Sequence, residues 1–385
     1  MDTAEYDRTP ILFLGDSPSG LSGLGRILRD IAALTHQHLS DIYDVASIGL
    51  GNPPSKSIPF MQYPTGMVQD WVVEGLPHAW RDHVGSKEGI LFCIWDLSRL
   101  LWLAYPEQCP SEHVKEFLLN FKGKKWVYPA IDGCGPNGKL PGLLEDAASK
   151  FDRFLNYTNF SREITGYPDV CTHGIDVRTF YPRPDARSIL KTFGVEMKEG
   201  EKLIGIVATN QPRKDWALAF ETLRVLKDQG LKFRVWIHTD VPERHWSLPA
   251  LYVDFGLQPE IQIFQTPFGL SDDYMAMLYS ACDVTLGIGP EGVGYPILES
   301  IACGTPCVTG EYGGQKDFVH PTQQVYPIAY RYEGVFAIKR PVYDPKDFVA
   351  QIKYALQIPH KNIRPAWMWK DVWPAWEKWL RAGVQ

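Results

Sequence analysis

The chain has 385 residues, enough for two or three domains, and its 45% hydrophobic and 22% charged residues are typical of a globular protein. Its net charge of −6 arises in residues 1–175, since the rest carries equal numbers of both signs, and this charge disfavours non-specific binding to nucleic acid or anionic membranes. No apolar run approaches the ~18 residues of a membrane span, and the seven cysteines have no spacing that indicates a disulfide framework.

The beginning of the chain, residues 1–10, is polar and acidic. It lacks the apolar core of a signal peptide. Together with the odd number of cysteines, this favours a reducing compartment, and we expect a cytoplasmic protein.

The first predicted unit is a strand, a loop and a helix. Residues 11–14 are a short apolar run, and residues 15–25 form a loop rich in glycine and serine. The helix that follows places apolar side chains on one face, at Ile27, Leu28, Ile31 and Leu34. This order is typical of the first unit of a doubly wound sheet, with the loop at the carboxyl end of the strand.

Further strands and helices alternate along the chain in two series. The predicted strands lie at residues 90–95, 126–128, 153–157, 203–208, 233–237, 261–264 and 284–288. The predicted helices of the second series lie at residues 214–229 and 272–281. Alternation of this kind predicts parallel sheets, and two series predict two domains that face each other.

The most informative segment is Pro290–Val308, which reads PEGVGYPILESIACGTPCV. Pro296 suits the first turn of a helix, and Gly292 and Gly294 leave backbone N–H groups uncovered just before it. A helix N-terminus with free amides binds phosphate well. Glu291 and Glu299 lie beside this anion site, so the ligand must also offer hydroxyl groups. A sugar nucleotide satisfies both requirements.

This segment resembles the signature of the retaining glycosyltransferases of family four, in which two glutamates lie eight positions apart. The glycines, the proline and the Gly304-Thr305-Pro306 turn also match. The resemblance implies an α/β protein of the GT-B fold, with two Rossmann-like doubly wound domains across a cleft. His173–Pro184 resembles the family's interdomain segment. We therefore expect an acceptor-side domain at 1–175, a nucleotide-sugar-binding domain at 176–358 and a C-terminal helix at 359–385.

The resemblance implies that each of the two glutamates contacts one end of the donor. It implies that Glu299 accepts the ribose hydroxyl protons and that Glu291 holds hydroxyls of the transferred sugar. The amides of Gly292, Val293, Gly294 and Tyr295 would contact sugar and phosphate. The alternatives are structural, with Glu299 merely complementing the helix dipole and Glu291 capping local amides.

Arg213 and Lys214 are expected at the beginning of a helix, where cations oppose the helix dipole. A bound diphosphate would remove this conflict, and the family places a lysine and an arginine on the pyrophosphate. Lys214 matches the lysine, whereas the usual arginine position holds Thr209, so we give Arg213 the second charge. The alternative is a solvent-exposed basic pair.

Four further positions follow from the resemblance. The loop glycines Gly23 and Gly25 would close over the diphosphate from the opposite domain. Asp132, after the strand at 126–128, would lie near the donor sugar, and Asp96, after an earlier strand, on the acceptor side. Either aspartate could instead be a helix N-cap.

The implied reaction needs neither a metal nor a cofactor other than the nucleotide sugar itself, which we expect to be UDP- or GDP-linked. Lys214, Arg213 and the helix amides would stabilise the charge that develops on the leaving diphosphate. Glu291 and Asp132 complete the predicted catalytic set. No metal-binding D-x-D motif stands in a suitable place, and Asp272 and Asp273 are expected to cap a helix.

The acceptor stays open at this stage. A glycan, a lipid-linked sugar or a small molecule is one class, and a hydroxymethylated base of phage-type DNA, in an infected host's cytoplasm, is the alternative. A non-catalytic sugar-nucleotide-binding module is a second alternative, and a phosphorylase or epimerase on the same fold is a third. The tryptophan-rich C-terminus is expected to pack on the N-terminal domain rather than to bind a ligand.

Overall fold

The computed structural model describes residues 8–20, 22–51, 53–66, 68–264, 270–358 and 367–384. They contain two six-stranded parallel sheets, with helices between the strands, and a separate two-stranded hairpin. This confirms the predicted α/β fold of two doubly wound units. Most of the polar N-terminal segment, residues 1–7, lies outside the described residues.

The first sheet is built from strands β1 (Thr9–Asp16), β2 (Tyr43–Leu50), β3 (Met61–Tyr63), β4 (Ile90–Ile94), β5 (Lys124–Val127) and β6 (Arg153–Phe154). Its helices are α1 (Gly23–His38), α2 (Gln69–His83), α3 (Leu101–Ala104), α4 (Glu112–Leu119), α5 (Gly142–Ala148) and α6 (Asn159–Thr165). The strand order is β3-β2-β1-β4-β5-β6. Strands β2 and β3 are additions to the predicted elements.

The second sheet is built from strands β7 (Lys202–Val207), β8 (Phe233–His238), β9 (Ile261–Phe264), β10 (Val284–Gly287), β11 (Cys307–Gly310) and β12 (Gln324–Val325). Its helices are α7 (Trp216–Asp228), α8 (Leu248–Asp254), α9 (Asp272–Ala281), α10 (Tyr295–Ala302) and α11 (Pro345–Ala355). The order β12-β11-β10-β7-β8-β9 repeats the winding of the first sheet. The hairpin consists of β13 (Ala329–Glu333) and β14 (Ile338–Val342).

The winding of both sheets determines where a ligand can bind. In each sheet the strand order reverses at one point, between β1 and β4 in the first and between β7 and β10 in the second. In doubly wound sheets, ligands bind outside the carboxyl ends of the strands at this reversal. The segments after these four strands therefore form the expected binding region.

Helix α1 illustrates how local sequence sets the start of an element. Ser22 is its N-cap, and the hydroxyl of Ser22 accepts a hydrogen bond of 2.9 Å from the N–H of Gly25. The helix consequently begins at Gly23, so both predicted loop glycines lie in its first turn. Ile27, Leu28 and Ile31 are buried, as the apolar face predicts.

The C-terminal helix α12 (Trp369–Arg381) packs on the first domain through its tryptophans. The Trp379 ring lies 5.1 Å from that of Trp126, and the Trp376 ring 4.9 Å from that of Tyr128. The indole N–H of Trp376 donates a hydrogen bond of 2.9 Å to the carbonyl of Thr172. These side chains serve as core residues of the first domain.

Candidate active site

A cavity of about 1090 Å³ lies between the two domains, at the carboxyl ends of the central strands. A cavity of this size accommodates a large ligand. Among the predicted site residues, those that line it are Gly23, Asp96, Asp132, Arg213, Lys214, Glu291, Gly292, Val293, Gly294, Tyr295 and Glu299. Gly25 is the exception, because it packs against the Ser17 carbonyl and its N–H serves the helix cap.

Arg213 and Lys214 belong to a 3-10 turn, Pro212–Lys214, that separates β7 from α7. The expectation that they begin the helix is therefore wrong, since Asp215 caps α7 and Trp216 begins it. Lys214 is 3% exposed, so the predicted alternative of a solvent-exposed basic pair fails for it. The turn directs both cations into the cavity.

Glu291 receives both of these cations. Lys214 Nζ pairs with Glu291 Oε1, and Arg213 Nη1 lies 3.3 Å from Glu291 Oε2. Burial raises the pKa of Glu291, but the two neighbouring cations outweigh it and hold that pKa below its usual value. Burial and the Arg213 charge lower the pKa of Lys214 to about 8, despite the attraction of Glu291.

Asp132 joins the same cluster from the first domain. Arg213 Nε lies 3.2 Å from Asp132 Oδ2, and Arg340 Nη1 donates a hydrogen bond of 3.0 Å to Asp132 Oδ1. Although Asp132 is buried, these two guanidinium groups keep its pKa below the ordinary value. The carboxylate therefore stays charged and acts as an anchor for cations from the second domain.

Arg340 is a cavity residue that the sequence did not predict. It lies on β14 of the hairpin, which reaches from the second domain onto the segment after β5. The N–H of Lys339 donates a 2.7 Å hydrogen bond to the carbonyl of Cys134 and fixes the hairpin there. No local sequence signal marks this hairpin as part of a site.

Asp96 follows β4 and lines the cavity. It occupies the N-cap position of the 3-10 segment Leu97–Leu100, but its side chain makes no capping hydrogen bond. Burial and the charge of Asp132 raise the pKa of Asp96 to about 6, while Arg213 and Arg99 oppose the shift. A carboxylate with free oxygens thus faces the cavity.

The glycine-rich loop leads into helix α10 as predicted. Gly294 has φ of 92° and forms the N-cap, and Pro296 follows in the first turn. In the described chain, the N–H groups of residues 292–295 have no hydrogen-bond acceptor. They form a donor set at a helix N-terminus, which suits an anion.

Glu299 lies one turn inside α10 and is 4% exposed. Its Oε1 pairs with Arg26 Nη1, and Arg26 Nη2 lies 2.6 Å from Asp272 Oδ1. Burial raises the pKa of Glu299, and the Arg26 charge opposes that rise. Arg26 belongs to α1, so this pair spans the two domains.

Asp272 does not have the expected role of a helix cap. The cap of helix α9 is Ser271, whose hydroxyl accepts from the N–H of Tyr274, while Asp272 pairs with Arg26. Arg26 was not predicted as a site residue, although it directly follows Gly25, the last residue of the predicted loop. Thr209 lines the cavity and contributes no charge.

Among the described residues, no group of three or more histidine, cysteine, aspartate or glutamate side chains is placed to hold a metal ion. No described helix has both the length and the apolar character needed to cross a membrane.

Comparison with known proteins gives a family match in the C-terminal half of the chain. The sequence profile of the family described as "Glycosyl transferases group 1" matches residues 201–357. A search of curated protein sequences gave no significant match.

Solved structures share the fold over nearly the whole chain. Sucrose-phosphate synthase from Thermosynechococcus elongatus has a TM-score of 0.67 at 14% identity, covering 98% of this chain and 99% of its own. Anabaena Alr3699/HepE, in complex with UDP and glucose, has a TM-score of 0.65 at 16% identity, covering 91% and 90%. The catalytic domain of starch synthase IV from Arabidopsis thaliana, bound to ADP and acarbose, has a TM-score of 0.63 at 10% identity, covering 98% and 100%.

Proposed function

We propose that this chain is a retaining glycosyltransferase, because it has the GT-B fold and its residues 201–357 match the profile of the glycosyl transferases of group 1. It moves a sugar from a nucleotide-sugar donor to a hydroxyl of an acceptor. The second domain binds the donor, the first domain faces the acceptor, and the reaction needs no metal ion.

One observation carries this proposal. Lys214, Glu291 and Glu299 line a single cavity between the domains, together with the free N–H groups of residues 292–295. Cations and amides suit a diphosphate, and carboxylates suit the hydroxyls on either side of it. A nucleotide sugar combines these groups in this order.

The donor would exchange partners with the ion pairs that line the cavity. Its phosphates take Lys214 and Arg213 from Glu291, and the freed carboxylate accepts hydrogen bonds from the transferred sugar. Likewise, the ribose hydroxyls share Glu299 with Arg26. Fixed cations beside the breaking bond stabilise the charge of the leaving diphosphate.

No side chain of the protein attacks the sugar during the transfer. The acceptor oxygen attacks the face from which the diphosphate leaves, and the hydroxyl proton passes to the leaving phosphate. Closure of the two domains excludes water and limits hydrolysis.

The donor belongs to the nucleoside diphosphate sugars, with UDP or GDP as the proposed carrier. The presence of UDP in the HepE structure supports the first of these. A glycan, lipid-linked or small-molecule hydroxyl is the proposed acceptor. All seven cysteines carry free, buried thiols, which accords with a cytoplasmic location.

A panel of UDP-, GDP- and ADP-sugars tests the proposal. Release of the nucleoside diphosphate should occur with one of them, in the presence of EDTA, and Glu299→Gln should weaken binding of the donor. NMR of the product should give the donor's anomeric configuration. Absence of binding to every sugar nucleotide, or an inverted product, would contradict it.

A further inference from the structure

The cavity is lined by apolar as well as charged side chains, and one group of the apolar side chains concerns the acceptor. Six side chains without polar atoms form this group, and we refer to them as the apolar wall: Leu97, Ile131, Leu140, Leu144, Phe336 and Ile338. The first four belong to one buried cluster of the first domain, and Phe336 packs against that cluster. Five of the six side chains therefore pack together, and Ile338 lies beside them against Gly133, so both domains contribute to the wall.

Chain connectivity fixes the wall beside the charged side chains. Leu97 directly follows Asp96, and Ile131 directly precedes Asp132. On the hairpin, Ile338 and Arg340 are two residues apart and share one face of β14, and both line the cavity. An acceptor whose hydroxyl reaches Asp96 can place its remainder against these side chains.

Asp96 differs from the other carboxylates of the cavity. Six of them have an ion pair or a hydrogen bond to another side chain or amide: Asp16, Asp132, Asp240, Asp272, Glu291 and Glu299. Within the described chain, the Asp96 side chain forms neither. Its oxygens are available to accept a hydrogen bond from an incoming hydroxyl.

We propose that the acceptor is a hydroxyl compound with an apolar body, whose hydroxyl hydrogen bonds to Asp96 while its body lies against the apolar wall. This inference rests on the proposed glycosyltransferase function and deepens it. A polyhydroxylated sugar at the same place would lose hydrogen bonds to water without replacement.

The acceptor oxygen forms a bond to the anomeric carbon, and the bond between that carbon and the diphosphate oxygen breaks with its electron pair on the diphosphate. The hydroxyl proton ends on the released nucleoside diphosphate. Asp96 orients the hydroxyl and the wall binds the remainder.

A homologous series of alcohols tests this inference, with the sugar nucleotide that the donor panel identifies. Ethanol, 1-butanol, 1-hexanol and 1-octanol present the same hydroxyl on bodies of increasing length. We expect kcat/KM to rise about threefold to fourfold per methylene group until the wall is covered. Glycerol and methyl α-glucoside should be poor acceptors.

Variants locate the effect on the wall. Phe336→Ala and Ile338→Thr should lower kcat/KM for octanol about tenfold more than that for ethanol. The matched control is Val335→Ala, because Val335 is the hairpin neighbour of Phe336 and is 94% exposed. Asp96→Asn should raise the KM of every alcohol. The affinity for the sugar nucleotide, measured by calorimetry, should stay the same in the wall variants.

The outcomes separate the two proposals. If the sugar nucleotide binds and is turned over but octanol is no better than ethanol, or methyl α-glucoside is the best acceptor, the apolar acceptor is wrong and the glycosyltransferase stands. If no sugar nucleotide binds, the glycosyltransferase proposal fails and the acceptor inference fails with it.

Discussion

The proposed reaction depends directly on the positive charge of Lys214. Its ammonium group is buried beside Glu291 and faces the cavity. We expect Lys214→Ala to lower kcat/KM by about 10²–10³, the loss typical of one donor to a developing anion. Nucleoside diphosphate release measures this.

Lys227→Ala is the control for that variant. Lys227 lies in the last turn of the next helix, α7, and pairs with Glu260 at 3.0 Å. Equal losses in the two variants would mean that Lys214 acts only through stability.

The same lysine predicts a pH dependence of donor binding. Its pKa of about 8 means that the cation is complete below pH 7 and is lost as the pH rises through 8 and beyond. The Kd of the donor should therefore increase above pH 8. Lys214→Arg should remove this limb, since arginine keeps its charge. Calorimetry between pH 6.5 and 9.5 is the measurement, and an unchanged limb in Lys214→Arg would contradict the assignment.

Site residues can be predicted from the sequence when they lie close together along the chain. Glu291, Glu299 and the glycines between them lie in one short motif, so their pattern is visible directly. Arg26 and Arg340 are equally close to the site, but their carboxylate partners are 273 and 208 residues away. A single sequence contains no local signal for such a pair.

Helix α12 is expected to contribute to the stability of the first domain. Trp376 is 0% exposed and packs against Tyr128 of the first domain. Trp376→Ala should lower the free energy of unfolding by about 3–5 kcal/mol, the usual cost of a large core truncation. Urea unfolding followed by circular dichroism measures the change.

Trp71→Ala is the matched control, because Trp71 is 58% exposed on α2 of the same domain. It should shift the urea midpoint little. A small effect of Trp376→Ala would instead indicate that α12 contributes little to the stability of the first domain.

Element prediction from sequence succeeded for most of the central strands and for helix α9, but it missed the buried eight-residue strand β2. Strand β9 and helix α9 have the predicted bounds, at Ile261–Phe264 and Asp272–Ala281. The edge strands β3 and β12 have three and two residues, too few to show a period. The hairpin β13–β14 carries exposed and partly exposed residues, so hydrophobic alternation does not mark it.

At the scale of the whole molecule, charge pairs connect the two domains across the cavity. Arg26 of the first domain pairs with Glu299 and Asp272 of the second, and Arg213 and Arg340 of the second pair with Asp132 of the first. These groups are also the proposed contacts of the donor or their immediate partners. We infer that these pairs hold the two domains together and that the donor replaces them.

Arg26→Ala tests this inference. Removing one member of a buried pair leaves the other charge uncompensated, which typically costs about 3–5 kcal/mol. Opening of the cleft would return Glu299 to water and relieve that cost. The donor-free variant should therefore have a larger radius of gyration than the unmodified protein in X-ray scattering, and saturating donor should reduce the difference.

The control for Arg26→Ala is Arg29→Ala on the same helix. Arg29 pairs with Asp30 at 2.9 Å, within α1, so its loss removes an arginine without touching a pair between the domains. Its scattering should match that of the unmodified protein. If both variants scatter alike, the Arg26 pair does not hold the domains together, and the Asp132 pairs and the hairpin contact at Cys134 remain as the connections between them.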